Sequence, residues 1–145
     1  MKFITLRLAT RADSDLLLTW RNDPEVIAMR SNLRPDTQEE HDRWFNFVLS
    51  TSDTEVYIAE LDGVPIGQGR TQRCFKALAP KMDTCLLSYS IDKDYRGQGY
   101  GKQLVALLAA LAKQRYLTVS CRIKRTNIRS AVAAMRGGVD AIELF

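Results

Sequence analysis

The segment that most constrains this chain is Arg96-Gly97-Gln98-Gly99-Tyr100-Gly101, three glycines within five residues. It lies between a strand-like run, Leu86 to Ile91, and a helix-like run that opens at Lys102. A strand passed into a helix through glycines leaves several backbone N–H groups unpaired and aimed the same way. The helix end adds partial positive charge, and Arg96 adds a full one. The turn is suited to phosphate. The plain alternative is a tight turn whose glycines serve only steric needs; the strand before it and the helix after it favour a ligand.

Two common phosphate motifs fail here. The Walker-type loop, Gly-x-x-x-x-Gly-Lys-Ser/Thr, aligned on Gly101-Lys102 finds Arg96 at its first glycine and Gln103 at its hydroxyl position. The dinucleotide fingerprint, Gly-x-Gly-x-x-Gly, fits Gly97 and Gly99 but finds Lys102 in third place. Charge still favours an anion. From Lys93 to Arg136 there are ten Lys or Arg against one acid, Asp94, so that stretch is +9 and the remainder −5 within a chain of net charge +4. Such a local field attracts polyanions, nucleic acid included; a solvated basic helix face would look the same.

At 145 residues the expectation is one domain over 1–145 with a core that needs no staples. No apolar run approaches a membrane span, and Met1 to Arg7 alternate like a strand rather than a leader segment. Cys74, Cys85 and Cys121 are odd in number and lack metal spacing, which points to reduced thiols and a cytoplasmic protein. His41 is the only histidine, so a His-rich metal site is excluded.

The pattern predicts a strand over Phe3–Leu8 and a helix capped by Thr10 or Asp13 that buries Leu16, Leu17 and Trp20. A short helix follows Pro24, and a helix opened by the Thr37–Glu40 capping box carries a stripe of Trp44, Phe45, Phe47 and Val48. Val56–Leu61 and Val64–Arg70 flank Asp62-Gly63, a strong hairpin turn. A polar connection over Lys76–Asp83 leads to a strand at Thr84–Ile91. Helix Lys102–Arg115, with Leu104, Leu107, Leu108 and Leu111, strand Leu117–Ile123, helix Asn127–Arg136 and a short last strand complete the order.

Arg96-x-x-Gly99-x-Gly101 after a strand resembles the pyrophosphate loop of the GNAT superfamily of acetyl-CoA-dependent acyltransferases, and the order of elements matches that family over nearly the whole chain. Asn127-x-x-Ser130 and Gly138-Val139 resemble its second signature. The resemblance implies an α+β (mixed α/β) fold, a mostly antiparallel sheet with a parallel wedge pair, flanked by helices. It implies acetyl-CoA as co-substrate, held by Tyr89, Ile91, Arg96, Gly97, Gln98, Gly99, Tyr100, Gly101, Lys102 and Asn127. The backbone N–H of Ile91 would lie near the thioester carbonyl, and Asn127 would hold the pantetheine arm or position the thiolate; Asn127 can equally be a helix cap. Many relatives carry a Tyr seven residues after this Asn as general acid; here that residue is Ala134, leaving Ser130 to relay a proton through water. The usual Glu before the loop is also missing from Cys85-Leu86-Leu87, leaving His41 as candidate base beside water and backbone carbonyls.

Trp20-Arg21-Asn22-Asp23-Pro24 with Glu40-His41-x-x-Trp44-Phe45 resembles enzymes that acetylate amino sugars linked to nucleotides, the pseudaminic-acid branch among them. The ribosomal-protein alanine acetyltransferases share the broader pattern, including Tyr89-x-Ile91-Asp92. The expected acceptor is a small-molecule amine met by Arg21, Asn22 and His41, with no nucleic acid, membrane or metal, and with a homodimer left open. Arg21 can equally cap its helix. The alternatives are a protein N-terminal acetyltransferase and a non-catalytic acyl-CoA- or nucleic-acid-binding module. The −5 balance outside the basic stretch suits a cationic acceptor better than an anionic one.

Overall fold

A computed structural model describes residues 2–74 and 83–145; all but the last residue of the expected Lys76–Asp83 connection lies outside them. The order is β1 (Thr5–Leu8), α1 (Ser14–Arg21, after a 3₁₀ turn at Arg11–Asp13), α2 (Pro24–Ala28), α3 (Gln38–Ser50), β2 (Thr54–Leu61), β3 (Val64–Cys74) and β4 (Thr84–Ile91). A 3₁₀ turn at Lys93–Tyr95 leads to α4 (Tyr100–Lys113), β5 (Thr118–Ile123), α5 (Ile128–Arg136) and β6 (Ala141–Leu144).

The strands form one sheet in sequence order. β1 to β4 are antiparallel neighbours, while β4–β5 and β5–β6 run parallel. The β2–β3 hairpin closes through Asp62 at φ 51° and Gly63 at φ 79°, the two left-handed residues that a tight hairpin turn requires. Helices α4 and α5 supply the crossovers that parallel neighbours need.

Strand alternation separates the two faces of the sheet. Val56 and Ile58 of β2 pack with Leu17, Trp20, Phe45 and Val48, so α1 and α3 cover that face. In register with them stand Arg70 and Gln68 of β3, then Ser88 and Ser90 of β4. The opposite face buries Ala59, Cys85, Leu87, Val119 and Cys121 with Leu104, Val105, Leu108 and Ala109 of α4. Each fully buried leucine there contributes roughly 1.5–3 kcal/mol.

Two expected core residues lie outside. Phe47 is 62% exposed, because α3 turns inward through His41, Phe45 and Val48 at steps of four and three. Leu107 is 38% exposed, because α4 turns inward through Leu104, Val105, Leu108, Ala109 and Ala112. The N-terminal turn is fixed by Arg7, which grips Asp13 through two 2.8 Å hydrogen bonds, while the same carboxylate accepts the Thr10 amide at 2.7 Å.

Candidate active site

The sheet splits at one place. β4 and β5 pair from Thr84↔Thr118 to Leu87↔Cys121, and β4 then runs on to Ile91 still paired with β3 alone. The Asp92 amide donates to Ile66 O at 2.7 Å. Amide direction alternates along a strand, so the amides of Ser88 and Ser90 turn to β3, and those of Tyr89 and Ile91 turn to the edge that β5 has left. A cleft of about 980 Å³ opens there, bordered by β4, the end of β5, the glycine turn, α2 and the start of α5.

The glycine turn forms one end of this cleft. Gly97 and Gly99 have φ of 74° and 88°, a backbone that side-chain-bearing residues adopt at a cost. A Cβ at either would meet no protein atom within 4 Å, so the space beside the turn is open. Gly99 is the N-cap of α4 and has no side chain to cap it; the first helical bond is Gln103 N to Gly99 O at 3.3 Å. The amides of Tyr100, Gly101 and Lys102 therefore precede the hydrogen-bonded ladder, as at any uncapped helix start, and present an anion site. Gly97, Gly99, Gly101 and Lys102 border the cleft. Gln98 reaches only its own loop, at Asp94 O, and Tyr100 packs on the main core, so neither side chain borders the cleft.

Arg96 borders the cleft as well, with its side chain already engaged. Its guanidinium bonds Asp23 at 3.0 Å and Glu25 at 2.8 Å, and its Nε donates to Ile91 O at 2.9 Å. The charge counted toward phosphate is thus shared with the two carboxylates at the start of α2, to which Arg96 ties the turn.

At the split, the Tyr89 hydroxyl lies 2.6 Å from Ser130 Oγ and donates to Ser130 O at 3.2 Å. Burial raises the Tyr89 pKa, so the phenol stays protonated at neutral pH. Asn127 borders the cleft and caps α5, its Oδ1 accepting the Ser130 amide at 3.3 Å. Ala134 is the fully buried residue of α5, so the position at which many relatives carry a Tyr faces the core. The Tyr89–Ser130 pair was missed in sequence because the two are forty-one residues apart; the one available signal was the alternation of β4.

The acceptor-side expectations divide. Arg21 borders the cleft, pairs with Asp36 at 2.5 Å and stacks on Trp44 with its guanidinium carbon 5.4 Å from the ring centre. Asn22 spends both ends of its amide on the Asp36 backbone, at 2.8 Å each, and does not border the cleft. His41 is 1% exposed, stacked on Phe45 and beside Trp44. Burial lowers its pKa, with the nearby Ser14 backbone working the other way. It does not border the cleft either, so its place is in the α1–α3 core rather than against an acceptor. Trp20 is core too, with Nε1 donating to Asp92 at 2.9 Å. Arg70, which sequence reasoning passed over, does border the cleft; burial, with Arg21 nearby, lowers its pKa to about 10, so it stays charged at neutral pH.

Among the described residues no cluster of His, Cys, Asp or Glu could hold a metal ion, and no helix is long and apolar enough to cross a membrane.

Comparison with known proteins agrees with this geometry. The chain's fold is similar to an aminoglycoside acetyltransferase in complex with coenzyme A and kanamycin, with TM-score 0.76 and 21% identity over 93% of this chain and 82% of that one. It is similar to a ribosomal-protein-alanine N-acetyltransferase from Brucella melitensis, with TM-score 0.77 and 23% identity over 92% and 83%. An N-acetyltransferase from Staphylococcus aureus Mu50 aligns with TM-score 0.76 and 23% identity over 92% and 81%. No curated protein matches the sequence. The model of the acetyltransferase (GNAT) domain matches residues 4–140. With that match spanning almost all of a sheet that splits beside a glycine turn, the chain belongs to the GNAT acetyltransferase family.

Proposed function

We propose that the protein is an acetyl-CoA-dependent N-acetyltransferase whose acceptor is the primary amine of a small molecule, an amino sugar linked to a nucleotide. The observation that carries this reading is the split between β4 and β5 beside an uncapped α4. Acetyl-CoA, when bound, supplies the thioester that the amine attacks. The open space at Gly97 and Gly99 and the free first-turn amides of α4 suit its pyrophosphate. The Ile91 amide, turned to the open edge, donates to the carbonyl oxygen as negative charge develops. One such donor is worth about 3 kcal/mol in the transition state.

Tyr89, held by Ser130, protonates the departing thiolate in place of the residue replaced by Ala134. A thiol of pKa about 8.5 needs only modest help to leave. Gln68, bonded to Ser90 at 3.1 Å, and Ser88 form a polar face over which water takes the amine's proton. The test is thiol release from acetyl-CoA with amino-sugar nucleotides, free amino sugars, polyamines and peptides beginning with Ala or Ser. Release above the amine-free rate with a sugar nucleotide is expected. Release with peptides alone would move the acceptor to protein N-termini, and none with any amine would defeat the reading.

A further inference from the structure

Arg70 has a polar environment that the acetyl transfer described above leaves unexplained. It stands on β3 opposite Ser88, on the sheet face that α1–α3 cover, and it borders the cleft. Its Nε is buried without a hydrogen-bond partner. Its guanidinium carbon lies 5.6 Å from the centre of the Trp44 ring, which Arg21 also stacks on. Asp36 meets both Arg21 and, at 3.6 Å, Arg30. No carboxylate among the described residues meets Arg70. Among the described residues the one side-chain carboxylate bordering the cleft is that of Glu25, and Arg96 engages it.

A half-buried cation whose Nε is shut away from solvent with no acceptor, next to a second cation on the same ring, is costly unless a counter-ion joins it. Coenzyme phosphates at the glycine turn do not meet this need. Arg70 pairs with Ser88, three residues before Ile91 on β4, or roughly 10 Å along the strand, and the turn begins beyond that strand.

We propose that Arg70 is an oxyanion site on the acceptor side of the cleft, and that the acceptor amine carries a carboxylate or phosphate. This rests on the acetyltransferase reading and narrows its substrate class. The planar guanidinium fork suits either group. The same field repels polyamines and aminoglycosides, whose several ammonium groups would meet Arg21 and Arg70 with no free carboxylate between them.

The experiment compares kcat/KM for paired acceptors: a nucleoside-diphosphate-linked amino sugar against the free amino sugar, and an amino acid against its amide. The wild-type enzyme is expected to favour the oxyanion-bearing member of at least one pair by about 10- to 100-fold. The pair that shows it names phosphate or carboxylate as the source. Arg70→Gln is expected to collapse that ratio toward one, and Arg70→Lys to restore part of it. Acetyl-CoA affinity by calorimetry serves as the check that each variant is folded. A wild-type ratio near one in both pairs, or a ratio that Arg70→Gln leaves unmoved, overturns the inference; if Arg70→Gln does not fold, the wild-type ratios and Arg70→Lys decide. Acetyl transfer to amines without any oxyanion preference removes this inference alone. Failure of every amine while acetyl-CoA still binds removes the acetyltransferase reading beneath it.

Discussion

His41 and Tyr89 show how one side chain's surroundings fix its chemistry. His41 is enclosed by Trp44 and Phe45, and burial lowers its pKa below the ordinary value of 6.5. The unfolded chain therefore takes up a proton that the folded chain resists, so this contribution is present above pH 6.5 and is lost as pH falls toward the folded-state pKa. Melting temperature is expected to drop between pH 7 and pH 5 more steeply in the wild type than in His41→Leu, whatever that variant's absolute stability. Parallel curves would show that the ring does not titrate against folding. Asp13 acts in a lower window. Its pKa is depressed first by the Arg7 hydrogen bonds, so its contribution fades only below 3.8. Tyr89 carries the opposite kind of argument, since burial keeps its phenol protonated, as the proposed donor role requires. Tyr89→Phe is expected to lower kcat about 10-fold at pH 7 while KM for acetyl-CoA changes less than 3-fold, the signature of a group used in the transition state. Unchanged kcat would return the proton to water.

The glycine turn is where a sequence motif and its geometry part company. Its glycines read alike in sequence, yet only Gly97 and Gly99 take left-handed backbone, whereas a Cβ on Gly101 would make ordinary contact with Ile91 at 3.7 Å. Gly99→Ala is expected to cost about 1 kcal/mol of stability and to weaken acetyl-CoA binding. Gly101→Ala is expected to keep or raise the melting temperature, since alanine is the better helix residue by about 0.5–1 kcal/mol. Thermal melts and calorimetry read both. β4, the turn and α4 were legible because period-two and helical patterns meet there at glycines. Trp20 and Phe45 were legible as core because helical spacing puts them on one stripe. Arg70 was not, because a charged residue in an alternating strand reads as solvent-facing until the second layer, α1–α3, is placed over it. Nor were the roles of Arg96 and Asn22, whose partners are set by tertiary contacts rather than by their own segments. β3 also runs to Cys74, past the expected Arg70, because β4 stays paired with it to Thr84.

Across the whole molecule, α2 is the piece that joins the two halves of the cleft. It has five residues and buries none of them, so packing alone does not hold it. Arg96, from the glycine turn, binds its first turn through Asp23 and Glu25, and Lys124, after β5, donates to Ala28 O at 2.9 Å at its other end. Ion pairs and a capped carbonyl thus tie α2 to both sides of the split. Asp23 is 14% exposed and Glu25 77%, so the Asp23 pair is less screened and carries more of the tie. Asp23→Asn preserves a good helix cap while removing the charge, which isolates the ion pair from the cap. If Arg96 works by holding α2 against the turn, Arg96→Gln raises KM for acetyl-CoA and for the acceptor together, by about 5- to 10-fold, the weight of a partly buried charged hydrogen bond. Asp23→Asn then reproduces most of that rise, and Glu25→Gln less than 2-fold of it. A rise confined to acetyl-CoA, with Asp23→Asn silent, would instead make Arg96 a phosphate ligand that α2 merely borrows. Steady-state kinetics of the three variants separates a residue that binds from one that positions, a distinction that a charge count along the chain does not reach.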